Sequence, residues 1–498
     1  MFSRGENDVH DDRLESASNA KSSSKRKCCL KIFYISGILF IVAYFIFIHN
    51  FQSDIKKPTN PKPTGPKKAK ASALQNHHDL PSPMACGIPV KNDIVVKVDG
   101  AKAYLIGSYV EHNFGGNEIK TIAIMLRNEQ WTYSCVLCCE GKNVTSPAKY
   151  SIHYDHFGFD YGTADIICPI NSACSTPTHV AITANELSQS ITSFRPIRNR
   201  DIPKSLSYNF TVCISVMYDY KNVLNLVQAM EMFKLLGVQR VAIYKTNCDS
   251  DTQKVLDYYV KSNFMEIIPW RVTDYINVSK GWKSSESAGE LHYYGQIPAL
   301  NDCVYRYMYQ SQYVALQDID ELILPLKVKT WTELLPELEK SYGTDVGFEF
   351  ENNVFSFQAK VQTEYERKGW KNIQGANILQ YVDRIPNDPS SFNNFKILVN
   401  PRLVSQVTVH GLLKTVNPNK FTIRVDHNIA RLYHFKDFPC PANMELIRDK
   451  RHLDYAEDLM TAVSRVLLDC GFIKNEVPGG LGSSASPGVT SLYPGHAE

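Results

Sequence analysis

The chain has 498 residues, a formal net charge of +3, 44% apolar residues and 21% charged residues. That length exceeds one ordinary core and predicts two or three folded units. The composition excludes a mainly disordered chain, and the small net charge excludes nucleic acid as a main partner, which needs a strong basic excess.

Residues 1–31 are polar and read as a cytosolic tail. Ile32–Ile48, "IFYISGILFIVAYFIFI", is a 17-residue run without a charge, about 26 Å long as a helix and so at the short end of a membrane span. Short spans suit thin, early secretory membranes. The long polar lead and the poor cleavage site in "HNFQSD" favour an uncleaved signal anchor over a cleaved signal peptide. Lysines flank the run on both sides, so charge alone leaves its orientation open. Sequons at Asn143, Asn209 and Asn277, with eleven of 13 cysteines beyond the span, point to an oxidising lumen for the larger part. Cys28 and Cys29 are candidates for palmitoylation, against the plainer reading of two ordinary cysteines. Residues 49–89 are rich in Pro, Lys and small residues and read as an extended stem.

Residues 90–200 have a β texture. "IVVKVDGAKAYLIGSYVEH", "IKTIAIMLRNE" and "THVAITAN" are short β-rich runs separated by turn residues, which predicts a β-sandwich-like module. Cys135, Cys138, Cys139, Cys168 and Cys174 fall here. The C-x2-C-C spacing could hold a metal, but a lumen favours disulfides. Cys135 with Cys168 is the expected bridge, and an odd cysteine remains.

Over 207–440 strands and helices alternate. "FTVCISVMY" is a continuous apolar run and reads as a buried strand. Val223, Leu226, Val227, Met230 and Phe233 recur at helical spacing, and Gly237 closes that helix. "VQRVAIYK", "DTQKVLDYYVKSN", "MEIIPW", "IPALNDCVYRYMYQ" and "YVALQDID" continue the alternation to a fourth strand. This predicts a mostly parallel sheet with ligands at the carboxyl ends of its strands. A helical extension over 441–473 and a mobile Gly, Ser and Pro-rich tail over 474–498 complete the chain.

The fourth strand ends on Asp318, Asp320 and Glu321. In an extended chain residues i and i+2 point the same way, so Asp318 and Asp320 would aim at one point at the sheet edge. Two hard oxygen donors there can hold Mg²⁺ or Mn²⁺, which can bridge a diphosphate. A lone D-x-D is more often a solvated turn. No glycine-rich phosphate loop accompanies this one, so metal and side chains would hold a donor phosphate.

"GQIPALNDCVYRYMYQSQYVALQDIDELILP" resembles the central motif of glycosyltransferase family 92, through Gly295, Gln296, Asp302, Cys303, Arg306, Asp318, Asp320 and Glu321. "VCISVMYDYKNVLNLVQAMEMFKLLGVQRVAIY", "KILVNPRLVSQVTVHG" and "YHFKD" are similar to its first βαβ unit and later elements. The resemblance covers roughly Thr211 to Asp437. It implies a GT-A-type, Rossmann-like mixed-sheet domain and a single-pass type II Golgi protein. It also implies Mn²⁺- or Mg²⁺-dependent transfer of galactose from UDP-galactose in β-1,4 linkage to a glycoprotein glycan. Terminal galactose of N-glycans is the favoured acceptor and core fucose the next. Another UDP-sugar, or a non-catalytic lectin, is the alternative, and a homodimer is a further partner expectation.

Asp318 and Asp320 are then the expected metal and diphosphate ligands, with His410 or His434 as a third metal ligand. Met217, Tyr218, Gln296, Asp302, Arg306 and Lys436 are donor-site candidates. Asp302 and Arg306, spaced i, i+4, read equally well as a structural ion pair. Glu321 is a catalytic-site or orienting candidate, and Glu349 and Glu351 are placed as candidate general bases by position alone.

Overall fold

The computed structural model describes residues 83–113, 117–184 and 191–474. The expected tail, anchor over 32–48, stem up to residue 82, palmitoylation candidates Cys28 and Cys29, and C-terminal tail from 475 lie outside these. No helix among the described residues is long and apolar enough to cross a membrane. The described residues lie in one compact unit of mixed α/β structure.

The first part is a curled sheet of β1 (Ala103–Glu111), β2 (Glu118–Leu126), β3 (Tyr133–Cys139), β4 (Lys142–Pro147), β5 (Lys149–Ile152), β6 (Tyr161–Pro169), β7 (His179–Ala184) and β8 (Arg195–Arg198). Their order is β4-β3-β7-β8-β1-β2-β6-β5, antiparallel except where β8 meets β1. The apolar faces of β1, β2, β3, β6 and β7 enclose one core around Leu105, Ile119, Leu137, Ile166 and Val180. The sheet curls far enough for β3 to be bridged to β6 by the Cys135–Cys168 disulfide. Cys139 pairs with Cys174, and Cys138 pairs with Cys86. The odd cysteine of the five is therefore resolved by one upstream of the module.

The second part follows the expected alternation. β9 (Tyr208–Met217), α1 (Val223–Leu235), β10 (Arg240–Lys245), α2 (Ser250–Lys261), β11 (Met265–Pro269), α3 (Gln296–Tyr307) and β12 (Ser311–Leu316) build four parallel strands in the order β11-β10-β9-β12. β9 is central and buried on both faces, which is why it carries a continuous apolar run. α1 is buried nearly all round because α4 (Ala456–Asp469) covers its outer side. Past β12 the sheet turns antiparallel through Lys396–Val399 and Gly347–Phe350. A second, three-stranded sheet, with Glu321–Pro325, Ala430–Lys436 and Asn352–Ser356, stands beside it.

The two parts are not separate domains joined by a linker. Tyr104, Ile106, Tyr109, Ile122 and Ile124 of the curled sheet share one core with Trp270, Leu300, Tyr305 and Ile397 of the second part. Polar groups reinforce the seam. Asp302 on α3 is fully buried; its Oδ1 accepts from the Tyr109 hydroxyl at 2.6 Å. Its Oδ2 accepts from Tyr244 at 2.6 Å and from Arg306 at 3.0 Å. Gly107 is required there, since a Cβ would collide with the Asp302 carboxylate. Tyr305 donates to Glu111 at 2.6 Å, and Lys120 donates to the Ser405 carbonyl at 3.0 Å. A disulfide from Cys213 on β9 to Cys303 on α3 spans 90 residues, a loop worth roughly 4–5 kcal/mol by chain entropy.

Burial pushes the Asp302 carboxyl up, but Arg306, Tyr109 and Tyr244 together hold it below the usual carboxylate range. Its stabilising contribution is therefore complete at neutral pH and is lost as pH falls through the acid range. Asp302→Ala removes one of the two carboxylates that face the buried Arg306 (Glu266 is the other), takes the acceptor from the Tyr109 and Tyr244 hydroxyls, and should cost about 3 kcal/mol. Urea denaturation at pH 7 checks this, and the difference from wild type should shrink towards pH 3.

Candidate functional site

A cleft of about 710 Å³ opens at the carboxyl ends of the parallel strands, where the ends of β9 and β12 meet the second sheet. Met217, Tyr218, Gln296, Asp318, Asp320, Glu321, His410, His434 and Lys436 all line it.

The acidic segment is a turn, not the end of a strand. β12 stops at Leu316, and Glu321 already begins the strand of the second sheet. Three polar contacts close the turn. The Glu321 N–H donates to the Asp318 carbonyl at 3.3 Å, the Gln317 side chain donates to the Glu321 carbonyl at 2.8 Å, and the Glu321 carboxylate accepts the Asp318 N–H at 2.8 Å. The i, i+2 alternation of an extended chain therefore does not aim these acids. The change of sheet does, because it forces the backbone to turn between residues 317 and 320.

Lys396 and the imidazole of His434 face the three acids. Lys396, 3% exposed, donates to Asp318 Oδ2 at 2.8 Å and lies 3.3 Å from Glu321 Oε2. His434 is placed by strand register, since it pairs directly opposite Glu321. Its Nε2 lies 3.3 Å from Asp320 Oδ2, and its Nδ1 lies 3.5 Å from Glu321 Oε1. Burial drives the Glu321 carboxyl up to about 7 despite Lys396. Partial desolvation on the floor of the cleft also opposes ionisation of Asp320, whose side chain stays two-fifths exposed, but His434 overcomes it and holds that carboxyl below its usual range. Burial lowers the His434 imidazole, and Asp320 and Glu321 more than reverse this. Glu321 thus serves as a support from beneath, holding Lys396, His434 and the backbone of Asp318.

A divalent ion fits part of the expected donor set. Asp320 and His434 offer an oxygen and a nitrogen at one place, whereas Asp318 is already engaged by Lys396. Among the described residues no three His, Cys, Asp or Glu side chains form a cluster that could hold a metal. Two protein donors suit a hard cation held mainly by substrate phosphates and water, rather than by a protein cage.

His410 stands apart from that pair. Its Nδ1 bonds the Phe395 carbonyl at 2.9 Å, so Nδ1 carries the proton and Nε2 is an acceptor, buried without a protein partner. Burial and then Lys396 push its imidazole down to about 4. The ring stacks on Trp282 at 5.2 Å between centroids and 11° between planes.

One wall, next to Trp282, is a strained turn. Tyr293, Tyr294 and Gly295 have φ of 32°, 54° and 73°, three left-handed residues in succession. Two of them are bulky, a cost that surrounding structure must over-determine. Tyr294 stacks on Tyr218 at 3.9 Å, Tyr293 and Tyr218 hydroxyls are 2.7 Å apart, and the Tyr294 carbonyl accepts from Trp270 at 2.8 Å. The turn delivers Gln296, whose amide donates to Ser215 at 2.8 Å while its buried Oε1 has no partner.

Four candidates lie elsewhere. Asp302 and Arg306 belong to the buried seam and do not reach the cleft. Glu349 accepts from the Thr422 hydroxyl, and neither it nor Glu351 lines the cleft. Position along the chain had suggested both, but the chain bends into the second sheet at Glu351 and carries them past the opening. Lys396, Trp282 and Tyr293 carried no expected role. Lys396 had one legible signal, a lysine heading a buried apolar strand. Asn143, Asn209 and Asn277 are all exposed.

Comparison with known proteins adds a consistent result. The family model described as glycosyltransferase family 92 matches residues 208–462, just over half the chain. A Caenorhabditis elegans protein named β-1,4-galactosyltransferase galt-1 is 20% identical over 399 residues, covering 73% of this chain and 81% of its own. Another from that organism, named as a glycosyltransferase family 92 protein, is 22% identical over 226 residues, 45% of this chain and 42% of its own.

Lys396→Met removes the cation between Asp318 and Glu321. The stability loss should be small at pH 5, where Glu321 holds its proton, and should grow by about 1–2 kcal/mol at pH 8, where the buried Glu321 must ionise beside the part-exposed Asp318 with no cation between them. Thermal melts at the two pH values check the sign.

Proposed function

The chain belongs to glycosyltransferase family 92, and from that premise we propose that it transfers galactose from UDP-galactose in β-1,4 linkage to a glycan. Terminal galactose of N-glycans is the favoured acceptor and core fucose the next. The printed name of the nematode relative supports the donor and the linkage. The observation that carries the reading is the Asp320–His434 pair at the sheet edge, next to Asp318 with Lys396, inside a cleft large enough for a nucleotide sugar.

In this reading the parallel sheet with its antiparallel continuation is a GT-A-type domain. Asp320 and His434 hold Mn²⁺ or Mg²⁺, which when bound offsets charge on the diphosphate leaving group. Lys396 pairs with Asp318 and places it at the same opening. Tyr218, stacked on Tyr294, and Met217 form the wall where the first strand ends, the usual place for a base. Lys436, on the strand that carries His434, is within reach of a phosphate. Inversion at C1 requires an acceptor hydroxyl to attack in line as its proton is removed.

A lumenal location, behind a type II Golgi anchor, is supported by four disulfides and by exposed sequon asparagines.

The test is UDP release by the full-length protein from a panel of UDP-sugars with Mn²⁺ and galactose-terminated glycans. Turnover is expected with UDP-galactose, lost on chelation, and reduced about 100-fold or more in Asp320→Ala and His434→Ala. Turnover that persists in chelator, or in both variants, rejects the metal assignment. Glycan binding with no turnover of any donor means a lectin instead.

A further inference from the structure

Resting on the transferase reading, we propose that Trp282, Phe157 and Phe392 form an acceptor subsite that holds the part of an oligosaccharide lying beyond its reacting sugar. The curled sheet supplies Phe157, so it takes part in acceptor recognition and is not only a scaffold.

The rings form a connected row that leaves the cleft. Trp282 and His410 line the cleft and stack on each other. Phe157 meets Trp282 edge-on at 5.7 Å, and Phe392 lies 5.8 Å from His410. The three proposed residues come from segments far apart in the chain: the loop between β5 and β6, the loop between β11 and α3, and the loop before Lys396. Packing explains only part of this. Phe157 stacks on His292 at 4.2 Å, yet it remains 38% exposed, and Phe392 is 71% exposed. Large apolar surface left open beside a polar cleft marks a ligand groove.

The Phe157 loop is also held in an unfavourable shape. Phe157 has φ 52°, left-handed backbone that costs a bulky residue energy. Arg127 holds the loop there, reaching the Phe159 and Gly158 carbonyls and the His156 ring. The Asp155 carboxylate accepts from the Thr408 hydroxyl, tying the loop to the strand two residues before His410. A loop strained and braced from both parts of the molecule presents its ring in one position.

A saccharide chain fits this surface better than a peptide does. A pyranose offers an apolar C–H face to a ring and hydroxyls at its rim. The His410 ring, in contact with both Trp282 and Phe392, carries at Nε2 an acceptor without a protein partner that a rim hydroxyl could satisfy.

The test compares acceptor length in the full-length protein: galactose alone against galactose ending an N-glycan-type chain. For wild type the longer acceptor should have a KM about tenfold lower, the worth of one or two aromatic contacts. Phe392→Ala and Phe157→Ala should bring that ratio close to one. Phe392 is exposed, so its variant also guards against misfolding, and circular dichroism checks both. A length ratio unchanged in both folded variants overturns the proposal. If no donor turns over, the transferase reading fails, and saturation-transfer NMR with the same sugars decides the subsite separately. Binding of the longer chain that is lost in both variants supports it, and binding that is absent in wild type or unchanged in the variants overturns it.

Discussion

Three carboxylates within four residues, at an edge where two sheets meet, coexist with Lys396 and the His434 imidazole set among them. Lys396 and His434 come from distant strands, and each is placed by a register that the fold must first establish. The arrangement divides the acids by task. Glu321, fully buried, holds its neighbours and is itself driven towards the neutral form. Asp320 stays charged and open to the cleft, with two-fifths of its side chain exposed. The sheet edge can therefore present negative charge to a cation without being destabilised by it.

The same logic governs the seam between the curled sheet and the α/β part. A buried carboxylate, Asp302, is affordable because Tyr109, Tyr244 and Arg306 satisfy it, and because Gly107 leaves room. Such a network tolerates little displacement, since removing any partner exposes the others to the cost of unpaired burial. The seam thus holds the Phe157 loop in fixed relation to the cleft, which makes a site shared by both parts physically reasonable.

Much of the second part was legible in the chain. Continuous apolar runs identify buried parallel strands, and the 3.6-residue spacing of Val223, Leu226, Val227, Met230 and Phe233 identifies the helix that crosses them. Met217, Tyr218 and Gln296 were placed near the opening, where they lie. Other candidates lie away from the opening. Asp302 and Arg306, whose i, i+4 spacing reads equally well as a structural ion pair, form that pair on a helix whose inward face is set by packing against a sheet over a hundred residues upstream. Glu349 and Glu351 sit where the chain leaves one sheet for another, which local patterning does not record.

Residue order by itself determined the alternation of elements, the acidic segment and the family to which the chain belongs, because these depend on local periodicity and on motif residues in succession. Tertiary structure alone decided which cation meets which acid, why Asp318, Asp320 and Glu321 lie on a turn and not on one face of a strand, and that the curled sheet and the α/β part share a core. Those outcomes depend on strand register and on contacts between residues far apart in the chain, such as Asp318 with Lys396 and Asp302 with Tyr109. Side chains aimed across such distances leave no periodic trace in the sequence.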